Sequence, residues 1–458
     1  MRLSLRMTEE QHQQLLAHLH PGDGKEAAAW LLCGRRRDDD RGILCARAVF
    51  PISHEATSRK PHQVTWRIDS LHPLLEAAQG LDSPAIVHFH SHPAGANAFS
   101  RVDDESDRVL HADLAKIYED GLPMASAVML PNGEIFGRTW SSGVFEPLDG
   151  IFVIGDRIRR FSAQEHDVLK ALHASHRQAL GGGTTALLGK LRIAVVGCSG
   201  TGSIVIELLA RLGVKELILI DPDHVEDRNL NRIVNSTWAD ARMGTPKVEA
   251  LARKILSNLG TDAPRIIPEH GTLAEAWRVA ATADIVFGCT DSAEARMHLD
   301  RLCHYYVMPY IDVGVDLRAD EHDGIRYAGM AVHYLRPGGD SLLSRRGYRM
   351  SVVEAETLRR TNPELYAERV KTGYIEGVEE ERPAVISINM QGASMAVNEL
   401  LARLHGFRAG SPDEHAFRRV NLVEEFQTTS VANGPCPVMS PLCGLGDATP
   451  PLGLAGLT

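Results

Sequence analysis

The sequence predicts an α+β domain followed by an α/β domain built on a doubly wound, mostly parallel sheet. Three observations carry this prediction. The chain has 458 residues, beyond the roughly 250–300 at which a single hydrophobic core stops growing. Residues 1 to 145 mix short strand-like runs with helices in irregular order, the pattern of an α+β fold. From Leu191 the order becomes strand, helix, strand, which builds a parallel sheet by right-handed crossovers.

The elements follow in order. Thr8 is placed to cap a helix in TEEQHQQLLAHL. AAAWLLCG and ILCARAVF read as strands joined by the charged turn RRRDDDRG, and SPAIVHFHSH as another strand. SRVDDESDRVLHADLAKIYEDG opens with a capping-type Ser and carries an apolar helical stripe. SAVMLP and EIFGRTW close the first domain, expected over residues 1–150. Residues 151–190 are expected as a helical linker, with LGGGTT as a flexible run. LRIAVVG, SIVIELLARLG and KELILID then form one βαβ unit of a Rossmann-like sheet expected over 191–427, continued by KVEALARKILSNLG, ADIVFGCTD and MPYIDVGVD. VISINMQGASMAVNELLARLHGFR reads as a buried helix. The tail, 428–458, is rich in Pro, Gly, Ser and Thr and is expected to be disordered.

A net charge of -10 argues against nucleic acid as the main partner, because phosphate binding needs a positive field. No run of 18 apolar residues is present, so no membrane span is expected, and the first residues lack the apolar core of a signal peptide. Seven cysteines without a CxxC pair point to a reducing, cytoplasmic setting.

HFHSHPAGANAFSRVDDESD, residues 88–107, carries the first chemistry. His88, His90 and His92 alternate along a strand and share a face, about 6.6 Å between neighbours. Neighbours can share one metal, but all three hardly can, so periodicity leaves two choices of pair. A catalytic zinc needs a third ligand and an open position, and Asp103, Asp104 and Glu105 are at hand. The spacing His90-x-His92-x7-Ser100-x-x-Asp103 resembles the JAB/JAMM (MPN+) metalloprotease family, whose fold is cytidine-deaminase-like. The resemblance implies that His90, His92 and Asp103 bind zinc and that Ser100 stabilises the oxyanion. It also implies that Glu26, just before the apolar run AAAWLLCG, is the general base. His88 falls outside the motif and reads as a packing residue.

VVGCSGTGS follows a strand and opens a helix, placing Gly197, Gly200 and Gly202 where backbone can approach phosphate. Asp221 ends the next strand, where an acid bonds ribose hydroxyls. This signal alone fits NAD, FAD or ATP. The segments DPDHVEDRNLNRIV, GTPKVEAL and CTDSAEAR, in that order, resemble the ThiF/MoeB/ubiquitin-activating superfamily over roughly residues 175–425. That resemblance implies ATP and Mg2+ as cofactors, with Arg232 and Lys247 on the phosphates, Asp291 on Mg2+, Asp221 on ribose and Asn229 lining the site. It implies a homodimer in which Arg177, from SHRQAL, completes the partner's pocket, with Arg160 as the spare candidate. Asp223 reads as a turn cap.

The sequence departs from those relatives in two ways. Ser341 and Ser344 stand where many carry the first CxxC pair of a structural zinc, so that site is expected to be absent. Residues 304–435 contain no cysteine, so a thioester step lacks an obvious nucleophile. Cys436 and Cys443 lie in the tail, and Cys198 and Cys289 read as packing. The expected protein is a bifunctional enzyme of the kind found in bacterial ubiquitin-like conjugation or sulfur-transfer systems. Its client is a ubiquitin-like or sulfur-carrier protein with a Gly-rich C-terminus, and a conjugating-type cysteine protein would accept the activated chain. The rivals are sulfur-carrier activation for a cofactor or metabolite pathway, and a non-catalytic scaffold.

Overall fold

The structure is a computed structural model that describes residues 2–38, 40–117, 124–141, 143–162, 174–319, 324–375 and 383–457. The end of the helix expected after Ser100 (residues 118–121) and the linker residues 163–173 lie outside the described residues.

β1 (Arg2–Thr8) runs into α1 (Glu9–Leu19) through the expected cap: Gln11 N donates to the Thr8 hydroxyl, and the Gln11 side chain accepts from Thr8 N. β2 (Ala28–Arg37) and β3 (Arg41–Pro51) pair antiparallel, while β4 (Ser58–Lys60) and β5 (Gln63–Thr65) make a separate ribbon. α2 (His72–Ala78), β6 (Pro84–Ser91), α3 (Arg101–Ile117), β7 (Ala125–Met129), β8 (Ile135–Ser141), β9 (Val144–Pro147), β10 (Gly150–Ile154) and β11 (Ile158–Phe161) follow. Among the described residues the sheet order is β11-β10-β1-β3-β2-β6-β7-β8-β9. Its core is built on Trp30, Leu31, Phe89 and Met7, all fully buried.

This sheet does not end at residue 150. β10 pairs parallel with β1 and antiparallel with β11, and Ile151, Phe152 and Val153 are buried. Residues 151–161 therefore belong to the first sheet rather than to a helical linker. α4 (Ala174–Leu188) is helical as expected, interrupted at Gly181, where φ is 79°.

The second sheet begins with β12 (Arg192–Val196), α5 (Gly200–Leu212), β13 (Glu216–Ile220), α6 (Trp238–Met243), α7 (Lys247–Leu259) and β14 (Arg265–Glu269). α8 (Leu273–Ala280), β15 (Ile285–Gly288), α9 (Ala293–Tyr305) and β16 (Tyr310–Ala319) complete its parallel part. β17 (Ile325–Leu335), α10 (Met350–Thr361), α11 (Pro363–Lys371), α12 (Ile386–His405), β18 (Phe417–Asn421) and β19 (Phe426–Ser430) follow. The order is β14-β13-β12-β15-β16-β17-β18-β19, parallel as far as β16 and antiparallel beyond. The chain reverses its direction of travel between β12 and β15, which opens a crevice at their C-terminal ends. α12 is the buried helix expected from its sequence.

The two sheets share buried charge. The Asp284 carboxylate accepts from Arg6 (3.1 Å), Arg41 (2.6 Å) and the Arg192 amide (2.9 Å). Burial works against its charge, but Arg41 and Arg6 overcome it and hold the carboxyl below its usual value.

The tail corrects the expectation of disorder. Cys436, Met439, Leu452 and Leu457 are buried in the second core. Gly34 N donates to Gly444 O, Asp447 N to Arg35 O, and Gly446 N to Tyr305 O, so the tail stitches β2 to α9. Its glycines serve close packing rather than flexibility. A side chain at Gly444, where φ is 78°, would strike the Ala46 and Arg47 backbone. Among the described residues no helix is long and apolar enough to cross a membrane.

Candidate functional sites: a nucleotide cavity and a metal cluster

The crevice at the switch between β12 and β15 is a cavity of about 840 Å³, in the range of roughly 300–1,000 Å³ usual for small-molecule sites. Gly197, Asp221, Asn229, Arg232, Lys247 and Asp291 all line it. Gly197 has φ 90°, and a Cβ there would lie 2.6 Å from Cys289 O, so the turn requires glycine. Gly200 and Gly202 do not line the cavity. A side chain at Gly202 would overlap the Gly197 carbonyl oxygen, and one at Gly200 would overlap the Asn389 amide of α12. Gly202 lets the loop close on Gly197, and Gly200 seats α12 on α5.

Asp221 holds the loop from below. Its carboxylate accepts from Cys198 N (2.6 Å) and Asp223 N (2.9 Å). Burial raises its pKa, with Lys247 opposing. Lys247 Nζ donates to Asp223 at 2.6 Å, so Asp223 does more than cap a turn. Arg232 donates to Arg228 O at 2.7 Å, and Asn229 accepts from Glu226 N at 3.1 Å. Asp291 sits just ahead of α9, whose first turn is capped by Glu356: its carboxylate accepts from Ser292 Oγ and the Ala293 and Glu294 amides. The cluster combines cations, acids and a helix N-terminus, the set that binds a nucleotide phosphate chain with a divalent ion.

The Arg candidates separate. Arg160 is buried and donates to Asp149 O at 2.6 Å, away from the cavity. Arg177 is exposed on α4 and does not line the cavity. Ser341 and Ser344 bond reciprocally, amide to hydroxyl, at 2.9 and 3.1 Å. Cys198 and Cys289 are thiols whose pKa burial pushes up. Cys443, likewise buried, is pushed up to about 12.

In the first sheet, His90 and His92 leave the end of β6 with Nε2 atoms 3.2 Å apart. Asp103 lies 3.3 Å from the first and 3.6 Å from the second. One ligand atom from each falls within 4.8 Å of the others. His92 donates through Nδ1 to Ala96 O at 2.7 Å, which orients the ring with Nε2 toward Asp103 and His90. Two ring nitrogens and a carboxylate aimed at one point fit a zinc ion with a free fourth position. Burial works to raise the Asp103 carboxyl, but bonds from His90 and His92 overcome it and hold it well below the usual range. Burial lowers the His92 pKa, and Asp103 more than restores it.

Ser100 and Asp103 cap α3 reciprocally: Ser100 N donates to Asp103 Oδ2 (2.6 Å), and Asp103 N to Ser100 Oγ (3.2 Å). The helix start thus fixes the third ligand. Glu26 reaches the cluster through strand register. Ala28 opposes His90, and Ser91 N donates to Ala27 O, so Glu26 falls on the His90 and His92 face. Its pKa is raised to about 6 by burial, against the pull of the two histidines. His88 packs at a tilt against Trp30 (4.9 Å) and Trp66 (5.5 Å), and burial holds its pKa near 3. It is a neutral packing ring.

Residues 174–438 match the family model described as the ThiF family. The chain belongs to the ThiF family. Residues 8–140 match the model for prokaryotic homologs of the JAB domain. The chain is similar to "Ubiquitin-like modifier-activating enzyme 5" of Drosophila mojavensis, 30% identical over 161 residues, covering 32% of this chain and 37% of that protein. The protein of the same name from Culex quinquefasciatus is 32% identical over 140 residues, covering 28% and 34%. The chain therefore spans about a third of the length of these relatives. The crystal structure of E. coli MccB with ATP aligns at a TM-score of 0.44 and 18% identity, over 60% of this chain and 75% of that one.

Several cavity residues gave no sequence signal. Trp277, His270 and His298 line the cavity with Asp221 and Asp291. Glu356 reaches α9 from sixty residues downstream. No local pattern links a residue to a cap that far away.

Proposed function

We infer that this ThiF-family chain is a two-site enzyme acting on one client, a ubiquitin-like or sulfur-carrier protein with a Gly-rich C-terminus. The carrying observation is the convergence of Gly197, Asp221, Asn229, Arg232, Lys247 and Asp291 on one cavity, in a chain that also gathers His90, His92 and Asp103. In the nucleotide cavity the client's terminal carboxylate attacks the α-phosphate of ATP and pyrophosphate leaves. Arg232 and Lys247 offset the charge on the phosphates, Asp221 bonds ribose, and Asp291 holds Mg2+. Arg177 of a second subunit completes the pocket of a homodimer. Burial pushes the Cys198 and Cys289 thiols above their usual pKa, so the acyl-adenylate passes to a cysteine on another protein.

At the metal cluster His90, His92 and Asp103 hold zinc. Zinc, when bound, supplies Lewis acidity to the attacking water and the scissile carbonyl. Glu26 takes the water's proton and returns it to the leaving amine. The Ser100 oxygen already accepts from Asp103 N, which leaves its O–H free to donate to the oxyanion. One site thereby releases or trims a C-terminal carboxylate, and the other adenylates it.

The test is ATP–pyrophosphate exchange by the full chain with candidate ubiquitin-like clients, followed by the client's mass. Exchange that depends on a client and is lost in Asp291→Ala supports the reading. Absence of exchange with every candidate, together with absence of zinc, overturns it.

A further inference from the structure

Behind the metal cluster one guanidinium is held on every side. Arg138 on β8 donates through Nε (3.0 Å) and Nη2 (2.7 Å) to Asp107, and through Nη1 to Asp104. The Phe99 and Phe145 ring centroids lie 3.7 and 3.8 Å from its central carbon. Asp107 also accepts from Ser126 Oγ at 2.8 Å, which lies 3.0 Å from His111 Nε2. Arg138, Asp107, His111 and Ser126 are all buried. A planar fork stacked on aromatic rings is a use of Arg that Lys cannot copy.

The clamp grips the chain on both sides of the Ser100–Asp103 cap. Asp104 follows the third metal ligand directly, and Phe99 precedes Ser100. The Phe99 ring lies 6.2 Å from His90 and 5.1 Å from Phe136, and Phe136 lies 6.1 Å from His92. Asp104, beside the third donor, and Phe99, beside His90, are thus in direct contact with Arg138, and Phe136, beside His92, packs on Phe99.

We propose that Arg138 is a positioning residue for the metal: it sets the placement of Asp103 and of the two histidine rings, and with it the affinity and geometry of the site. The proposal rests on the zinc reading above. Its test uses the full chain, with zinc affinity measured by competition with a chromogenic chelator and geometry by the visible spectrum of the Co2+-substituted site. Arg138→Lys keeps one charge for Asp107 but loses the fork to Asp104 and the stacked plate. Asp104→Asn, at a half-buried side chain, removes only the outer arm and spares the buried pair. Loss of an outer support weakens metal binding about 10–100-fold, and that is expected for Arg138→Lys with an altered Co2+ spectrum. A smaller loss, toward the about 10-fold end of that range, is expected for Asp104→Asn. MgATP binding in the second domain stays at the wild-type value in both.

A merely structural clamp would lower the melting temperature and leave zinc affinity and the Co2+ spectrum unchanged in the folded variants, which overturns the proposal. Should Arg138→Lys not fold, an unchanged zinc affinity in Asp104→Asn overturns it as well, and a weakened one supports it. Wild-type protein that binds no zinc overturns the metal reading itself, a result distinct from zinc binding that is indifferent to Arg138.

Discussion

Gly202→Ala tests the nucleotide site at the point where the structure leaves least room. The added methyl overlaps the Gly197 carbonyl oxygen, so the loop must move by ~1 Å or more, beyond the reach of a normal hydrogen bond. Overpacking of this kind costs about 1–3 kcal/mol of stability, which a folded protein survives. Its effect on binding is larger. Loop amides aimed at a phosphate make charge-assisted bonds of about 1.5–3 kcal/mol each. Loss of two such bonds amounts to about 3–6 kcal/mol, or ~100-fold to 10,000-fold in affinity. Calorimetric titration of MgATP into the full chain reads this directly. Gly182→Ala is the control, because a Cβ there meets nothing within 4 Å, and it is expected to bind as wild type. Gly202→Ala protein that binds MgATP within about threefold of wild type, a difference of under 1 kcal/mol, would refute the assignment of this loop to phosphate.

Asp284→Ala strips the shared partner from Arg6 and Arg41, both buried, and is expected to cost about 3–5 kcal/mol. If the two sheets melt as one unit, the calorimetric transition falls by about 3–5 °C, given about 1 kcal/mol/K of unfolding entropy for a chain of this length; two transitions with only one displaced would refute the single unit. Glu26 carries a raised pKa of about 6 against 4.5 for a free side chain, so its protonated form favours the folded state. That contribution is complete below 4.5 and is lost as pH rises through 6. In metal-free protein, Glu26→Gln is therefore expected to melt higher than wild type at pH 7.5, with the gap closing at pH 4; a gap independent of pH counts against the assignment. Asp103→Ala is expected to abolish bound zinc, read by elemental analysis, and peptidase activity, while MgATP affinity is unchanged. Arg177→Ala protein is expected to regain adenylation on mixing with Asp291→Ala protein, since one intact pocket forms across a mixed dimer, and failure of a mixture that forms such dimers to recover activity removes Arg177 from the site.

Much of the metal cluster was legible because its parts are local. His90, His92, Ser100 and Asp103 occupy one strand, one turn and one helix cap, and short-range geometry relates them. Glu26 is separated from them by sixty-four residues and joins only because β2 and β6 pair in a register that sums its position to that of His92. The nucleotide residues were legible in groups, each at a strand end. For Gly200 one reason for glycine was hidden, because the neighbour that excludes a side chain there is Asn389 on α12. The tail was misread for a related reason. Its Gly and Pro content is the same whether a segment is loose or packed edge to edge against another backbone. Only the surfaces of β2, β3 and α9 show which.

The sequence by itself determined the two fold types and their order, since strand and helix periods are local, and it placed the candidate donors His90, His92 and Asp103 close enough along the chain for a family resemblance to single them out. The tertiary structure decided what distance along the chain hides. It joined the sheets through Asp284, extended the first sheet to Phe161, ordered the tail and set Arg138 behind the metal ligands. Each of these is a contact between segments far apart in sequence, fixed by burial and by the need of buried charges and backbone groups to find partners.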